Sequence, residues 1–428
     1  MAITSAFQSE DAGSIPVGRF SRVPLTGTFF ISPLLSIFQL MDFYADKYAH
    51  FILDRMLRLE SGEKLTINCN EENFSFAKQL ARLAAEKTGV NSTLVYIEKG
   101  KVESVDEIEP PYQGKETGKA CMLHLASLPE CSFDKEKELG ARELQEFRLL
   151  ADPIVLDRRI SVPWATAYVP SPYWAEFLYG AGETVDRLWM DLAELYDLED
   201  GDTTDMTISQ EKVLRKRIRV LESLGISELH LKGPNLYLKL PLSQGVSFQT
   251  SAVRLKDGRF FYPSYPCEDV FIPIDFRRAS GYFSTTRRFR LFDRFFENAS
   301  VSVENGRIKG FVLEDGNDEI NRFFQTDSKS AMLGELILCD HMTQASRKDL
   351  CLGVPILDRM RTTTIVLGGV SPEAITEEDE SRLEENGINT SFTRLELPIG
   401  SDELQVTALL ENGDEVDIMI DGSFTDSF

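Results

Sequence analysis

Lys64-Leu-Thr-Ile-Asn68, the Ala- and Leu-rich run Phe76 to Lys87 with Gly89 behind it, and Ser92-Thr-Leu-Val-Tyr-Ile97 decide the fold class. The outer pieces are short and rich in β-branched and apolar residues, as strands are. The middle piece carries apolar residues at helical spacing until a glycine stops it. Strand, helix and strand within about 35 residues make a parallel crossover unit. Between the first strand and the helix stands Cys69-Asn-Glu-Glu-Asn73, where a dinucleotide site keeps its glycines. Its acids oppose a pyrophosphate, so no nicotinamide or flavin cofactor is expected.

On either side of this unit the same reasoning extends the map. Residues 1–31 read as an irregular arm. Ser32-Pro33 opens a helix whose apolar residues run from Leu34 to Leu59, with Gly62 as its stop. Further strands are expected at Cys121–Ala126 and Trp164–Tyr168, with a charged helix from Asp134 to Leu150 between them. Pro170-Ser-Pro-Tyr-Trp174 is a turn leading into a helix, and Glu183–Tyr196 makes another. The polar stretch Leu198 to Asp205 breaks helices and marks the domain boundary. Beyond it come a helix ending at Gly225 and then short alternating runs: Leu229–Lys232, Leu236–Leu240, Phe260–Tyr262 and Val301–Val303. The expectation is an α/β chain: arm 1–31, N-terminal α/β domain 32–205 with parallel strand–helix–strand units, and a β-rich α+β domain 206–428.

The 428 residues suffice for two cores, and 42% hydrophobic with 27% charged content suits a folded chain. A formal net charge of −23 repels nucleic acid and anionic membranes, so neither is an expected partner. The chain's start lacks a basic region before an apolar core, and the apolar stretch at Phe29–Phe38 is broken by Pro33. Six dispersed cysteines read as reduced core thiols, and a cytoplasmic location is expected. No two of His50, His124, His230 and His341 have ligand spacing on one helical face.

The second half carries an ordered series of motifs. They are Tyr265-Pro-Cys-Glu268-Asp269-Val-Phe271, the strand pair around Phe296–Arg307, and Leu333-Gly-Glu335-Leu-Ile-Leu338. Asp358-Arg-Met-Arg-Thr-Thr-Thr364-Ile-Val-Leu-Gly368, Thr393-Arg394-Leu-Glu396-Leu-Pro-Ile-Gly400 and a closing hairpin from Gly400 to Gly422 follow. This order resembles the thermophilic-type metalloaminopeptidases of family M29 over residues of about 40 to 425. The resemblance implies an aminopeptidase-like second domain, a homodimer enclosing a cavity, and two divalent metals that activate water for removal of N-terminal residues from peptides.

On that resemblance the ligand positions are altered. Glu335 keeps a bridging carboxylate, and Glu268-Asp269 stands for a Glu-Glu pair. Thr364 and Arg394 replace histidines, Glu396 replaces an aspartate, and Ser371 falls on a tyrosine position. A threonine hydroxyl is a poor zinc ligand and a guanidinium has no lone pair to give. Glu268, Asp269, Glu335, Thr364, Arg394 and Glu396 therefore read as a former metal site turned peptide-binding cleft, with no catalytic residue and no cofactor. Arg394 is expected to neutralise the remaining acids. The competing reading is an active metal-dependent aminopeptidase or other hydrolase with a rebuilt site, one divalent metal at Glu335, Glu268 and Asp269, and Asp340-His341 nearby. Arg287, Arg288 and Arg290, interleaved with aromatics, suit carboxylates of a peptide or precursor peptide, against the plainer reading of surface ion pairs. The expected function is peptide binding in support of a peptide-maturation or natural-product biosynthesis pathway.

Overall fold

The computed structural model describes residues 37–96, 120–128, 162–198, 204–292, 294–348, 350–391 and 393–428. The arm 1–31, the start of the first helix and the charged helix expected from Asp134 to Leu150 lie outside them, as does most of the boundary expected at 198–205. The opening motif forms as its pattern dictates. Strand Lys64–Cys69 leads through helix Phe74–Thr88, closed by Gly89 in the left-handed region, to strand Thr93–Tyr96. These strands pair in parallel, and Ala120–Ala126 and Trp164–Tyr168 extend the same sheet on the other side. The Ser171 hydroxyl accepts from the Trp174 amide and Pro172 takes the first turn, so the Pro-Ser-Pro segment starts helix Pro172–Tyr179 as read.

The first helix, expected to continue to Leu59, instead ends at Phe51 and passes through a wider π-turn at Ile52–Met56. Every hydrophobic residue of that turn is buried, so packing has overridden the continuous helical spacing of the sequence.

The rest is built on two antiparallel sheets. One has eight strands, from edge strand Arg307–Val312 through Leu236–Pro241 and Ile226–Gly233 to the C-terminal hairpin Gln405–Leu410 and Glu415–Ile420. The other has four strands: Asp269–Pro273, Leu333–Cys339, Thr364–Gly368 and Arg394–Pro398. The two share one hydrophobic core, to which both contribute alternate residues. A second core surrounds the parallel sheet, and Leu352, Val354, Leu357 and Met360 from the chain's second half belong to it. No helix among the described residues is long and apolar enough to cross a membrane.

Candidate functional site

Strand parity on the four-stranded sheet builds the site. Val270, Ile272, Leu336, Leu338, Ile365, Leu367, Leu395 and Leu397 point into the shared core. Alternation then sends Asp269, Glu335, Thr364, Arg394 and Glu396 to the opposite face, beside the apolar patch of Phe271, Ile337 and Val366. A bulge between Leu333 and Glu335 sets the central strand's register, and at Gly334 a Cβ would stand 2.0 Å from the Gly368 carbonyl oxygen. Only glycine permits that approach of the two strands.

The charges on this face are paired. Glu335 is wholly buried; its Oε1 accepts from Arg394 Nη2 at 2.7 Å and from Ser371 Oγ at 3.0 Å. Its Oε2 accepts from the Ser371 amide at 2.5 Å. Arg394 also donates through Nε to Glu396 Oε1 at 2.9 Å and through Nη1 to the Gly369 carbonyl at 3.1 Å. Burial works against its charge, but Glu335 and Glu396 outweigh it and hold the guanidinium above its ordinary pKa. The salt-bridge role expected of Arg394 is thus what the geometry contains.

A second guanidinium, not singled out in the sequence, completes the network. Arg359 places Nη2 2.9 Å from Asp269 Oδ2 and Nη1 3.9 Å from Glu396 Oε1. It also bonds the Ser251 hydroxyl, which donates to Asp269 Oδ2 at 3.0 Å. Burial opposes the charge of Arg359 too, and Asp269 and Glu396 again prevail. Its signal lay inside the frame quoted for Thr364, two residues from Arg361, with nothing local to mark it as buried. Thr364 itself turns its hydroxyl to the Thr362 carbonyl at 3.0 Å.

Three expectations are corrected. Glu268 does not join this group: it precedes the strand on the opposite parity and is half-buried near Arg217, Asp340, Arg347 and Thr343. Desolvation pushes its carboxyl up to about 7, with Arg217 opposing and Asp340 adding. The alternative single-metal site at Glu335, Glu268 and Asp269 therefore has no common focus. Asp340 lies with Glu268's group, and it and His341 both meet the Ser423 hydroxyl, at 3.2 and 3.1 Å. Arg287 and Arg288 are not offered to a ligand's carboxylates but hold backbone: Arg287 the Ser346 carbonyl at 3.0 Å, Arg288 the Cys351 carbonyl at 3.4 Å. Arg290 holds the Gly353 carbonyl at 3.1 Å and lies over the Phe177 ring.

A small cavity of about 50 Å³ opens beside the network, lined by Thr364, Arg394, Leu395 and Glu396 from the sheet, Arg359 and Arg361 from the preceding turn, and Phe289 and Arg290. The donor set does not fit the metal pair that the resemblance implies. Asp269, Glu335 and Glu396 each face a guanidinium, and of the two positions where the resemblance puts histidines, Arg394 cannot ligate a metal and Thr364 is a poor zinc ligand. Among the described residues no group of three or more His, Cys, Asp or Glu side chains is placed to hold a metal ion.

Comparison with known proteins agrees with the fold. The chain is 23% identical over 397 residues to aminopeptidase T of Thermus aquaticus, covering 87% of this chain and 96% of that one. It is 21% identical to aminopeptidase PepS of Streptococcus thermophilus, covering 89% and 97%. Wild-type AmpT from Thermus thermophilus superposes with a TM-score of 0.73 at 21% identity, over 90% of this chain and all of that one. Since the description of thermophilic metalloproteases (M29) matches residues 42–424, nearly the whole length over which the motifs were read, the chain belongs to that family.

Proposed function

We propose that this chain is a non-catalytic member of its family that binds peptide in the cavity beside Arg394, in support of a peptide-maturation or natural-product biosynthesis pathway. The observation that carries the reading is Arg394 Nη2 at 2.7 Å from Glu335, at a position where the resemblance puts a ligand histidine. A fixed positive charge there repels a dication and leaves no nucleophilic water to generate. The cavity stays open, and binding survives such a loss because it draws on contacts other than those that stabilise a transition state.

The names of the relatives favour a second reading, an aminopeptidase working through a rebuilt metal site. One set of measurements separates the two. Calorimetric titration with a broad peptide panel is expected to find binders. Thr364→Trp, which fills the cavity wall, is expected to abolish that binding. Aminopeptidase assays after adding zinc, cobalt or manganese are expected to show no turnover. Absence of binding across the panel sinks the proposal, and stoichiometric metal accompanied by turnover establishes the second reading.

A further inference from the structure

We infer that Arg359 and Arg394 are built-in cations: their guanidiniums fill a two-cation seat made only of oxygen donors, with Glu396 shared between them. The claim concerns what holds the sheet face together and stands whether or not the cavity takes peptide. Around Arg394 gather Glu335 Oε1 at 2.7 Å, Glu396 Oε1 at 2.9 Å and the Gly369 carbonyl at 3.1 Å. Around Arg359 stand Asp269 Oδ2 at 2.9 Å, the Ser251 hydroxyl and, at 3.9 Å, the same Glu396 Oε1. One carboxylate oxygen thus faces two positive centres, as a bridging ligand does.

An independent observation shows that the seat has acceptor capacity to spare. Glu396 lines the cavity on a side chain only 9% exposed, and its buried Oε2 has no hydrogen-bond partner among the described residues. Carboxylate, carbonyl and hydroxyl oxygens without nitrogen or sulfur suit hard cations such as Mn²⁺, Mg²⁺ or Ca²⁺. Removing Arg394 should therefore expose a latent seat for a hard dication, which the natural chain fills from its own sequence.

Thermal unfolding tests this. The natural chain is expected to keep the same Tm with EDTA or with millimolar Mn²⁺. Arg394→Ala is expected to lose on the order of 5 °C or more, because Glu335 is left buried and unpaired. Mn²⁺ should then raise its Tm saturably, and adding Glu335→Gln should recover most of the loss while abolishing the Mn²⁺ response. Arg394→Lys, which leaves a cation in place, should show no Mn²⁺ response. If Arg394→Ala alone does not accumulate, soluble yield gives the same reading: recovery in the double variant supports the inference and continued failure overturns it. A Tm of Arg394→Ala moved neither by Mn²⁺ nor by Glu335→Gln, or a natural chain stabilised by Mn²⁺, also overturns it.

Discussion

Glu268 is held protonated into the neutral range by burial, with Arg217 as the main opposing influence and Asp340 pushing the same way as burial. Its folded pKa, about 7, lies above the ordinary 4.5, so the native state binds the extra proton. Its contribution to stability is whole below the ordinary value and is lost as pH rises through about 7. Glu268→Gln, neutral at every pH, should flatten Tm between about pH 5 and pH 8 and exceed the natural chain's Tm at the upper end. An unchanged pH profile would remove Glu268 from that role. Sequence adjacency hid this residue's separation from Asp269, although strand alternation already sends neighbours to opposite faces. Arg394 was legible because a motif on each side fixed its position. Arg359 was not, since burial of an arginine depends on distant acids, here Asp269 on another strand.

Elements were more legible than the contacts between them. The four parallel strands follow local patterns of β-branched and apolar residues, and each observed span lies within a residue or two of its reading. The arginine-rich hairpin was ambiguous for a physical reason: a run of guanidiniums has the same composition whether it meets ligand carboxylates or backbone carbonyls. Here it laces the 346–353 segment, through the Ser346, Cys351 and Gly353 carbonyls. The central strand Leu333–Cys339 depends on a different local feature, the close approach at Gly334. Gly334→Ala would press a methyl onto the Gly368 carbonyl and is expected to cost about 3 kcal/mol. Urea denaturation followed by circular dichroism would measure it, and a loss under about 0.5 kcal/mol would show that the two strands can part.

Across the whole molecule, the stretch from Leu352 to Arg361 joins the core around the parallel sheet to the cavity. Leu352, Val354, Leu357 and Met360 are packed with the parallel sheet, while Arg359 and Arg361 line the cavity. Position along the chain concealed this, because the stretch lies more than a hundred residues past the boundary read from composition. Leu357 is almost fully buried in the core around the parallel sheet. Leu357→Ala should cost about 3 kcal/mol and also weaken peptide binding in the cavity, because Arg359 is two residues away on the same turn. Binding unaffected in a folded Leu357→Ala variant would show that the cavity is set by the sheet alone.

The sharing of Glu396 Oε1 between two guanidiniums also bears on how such a site can change over generations. Replacing Arg359 or Arg394 singly strands a wholly buried carboxylate, Asp269 or Glu335, a penalty of about 3 to 5 kcal/mol. These positions are therefore epistatic, and viable descendants should alter them in opposite-charge pairs. Any route from this site back to one with histidines passes through intermediates that selection for folding would remove. The network acts as a ratchet on the sequence, even though every bond in it is reversible.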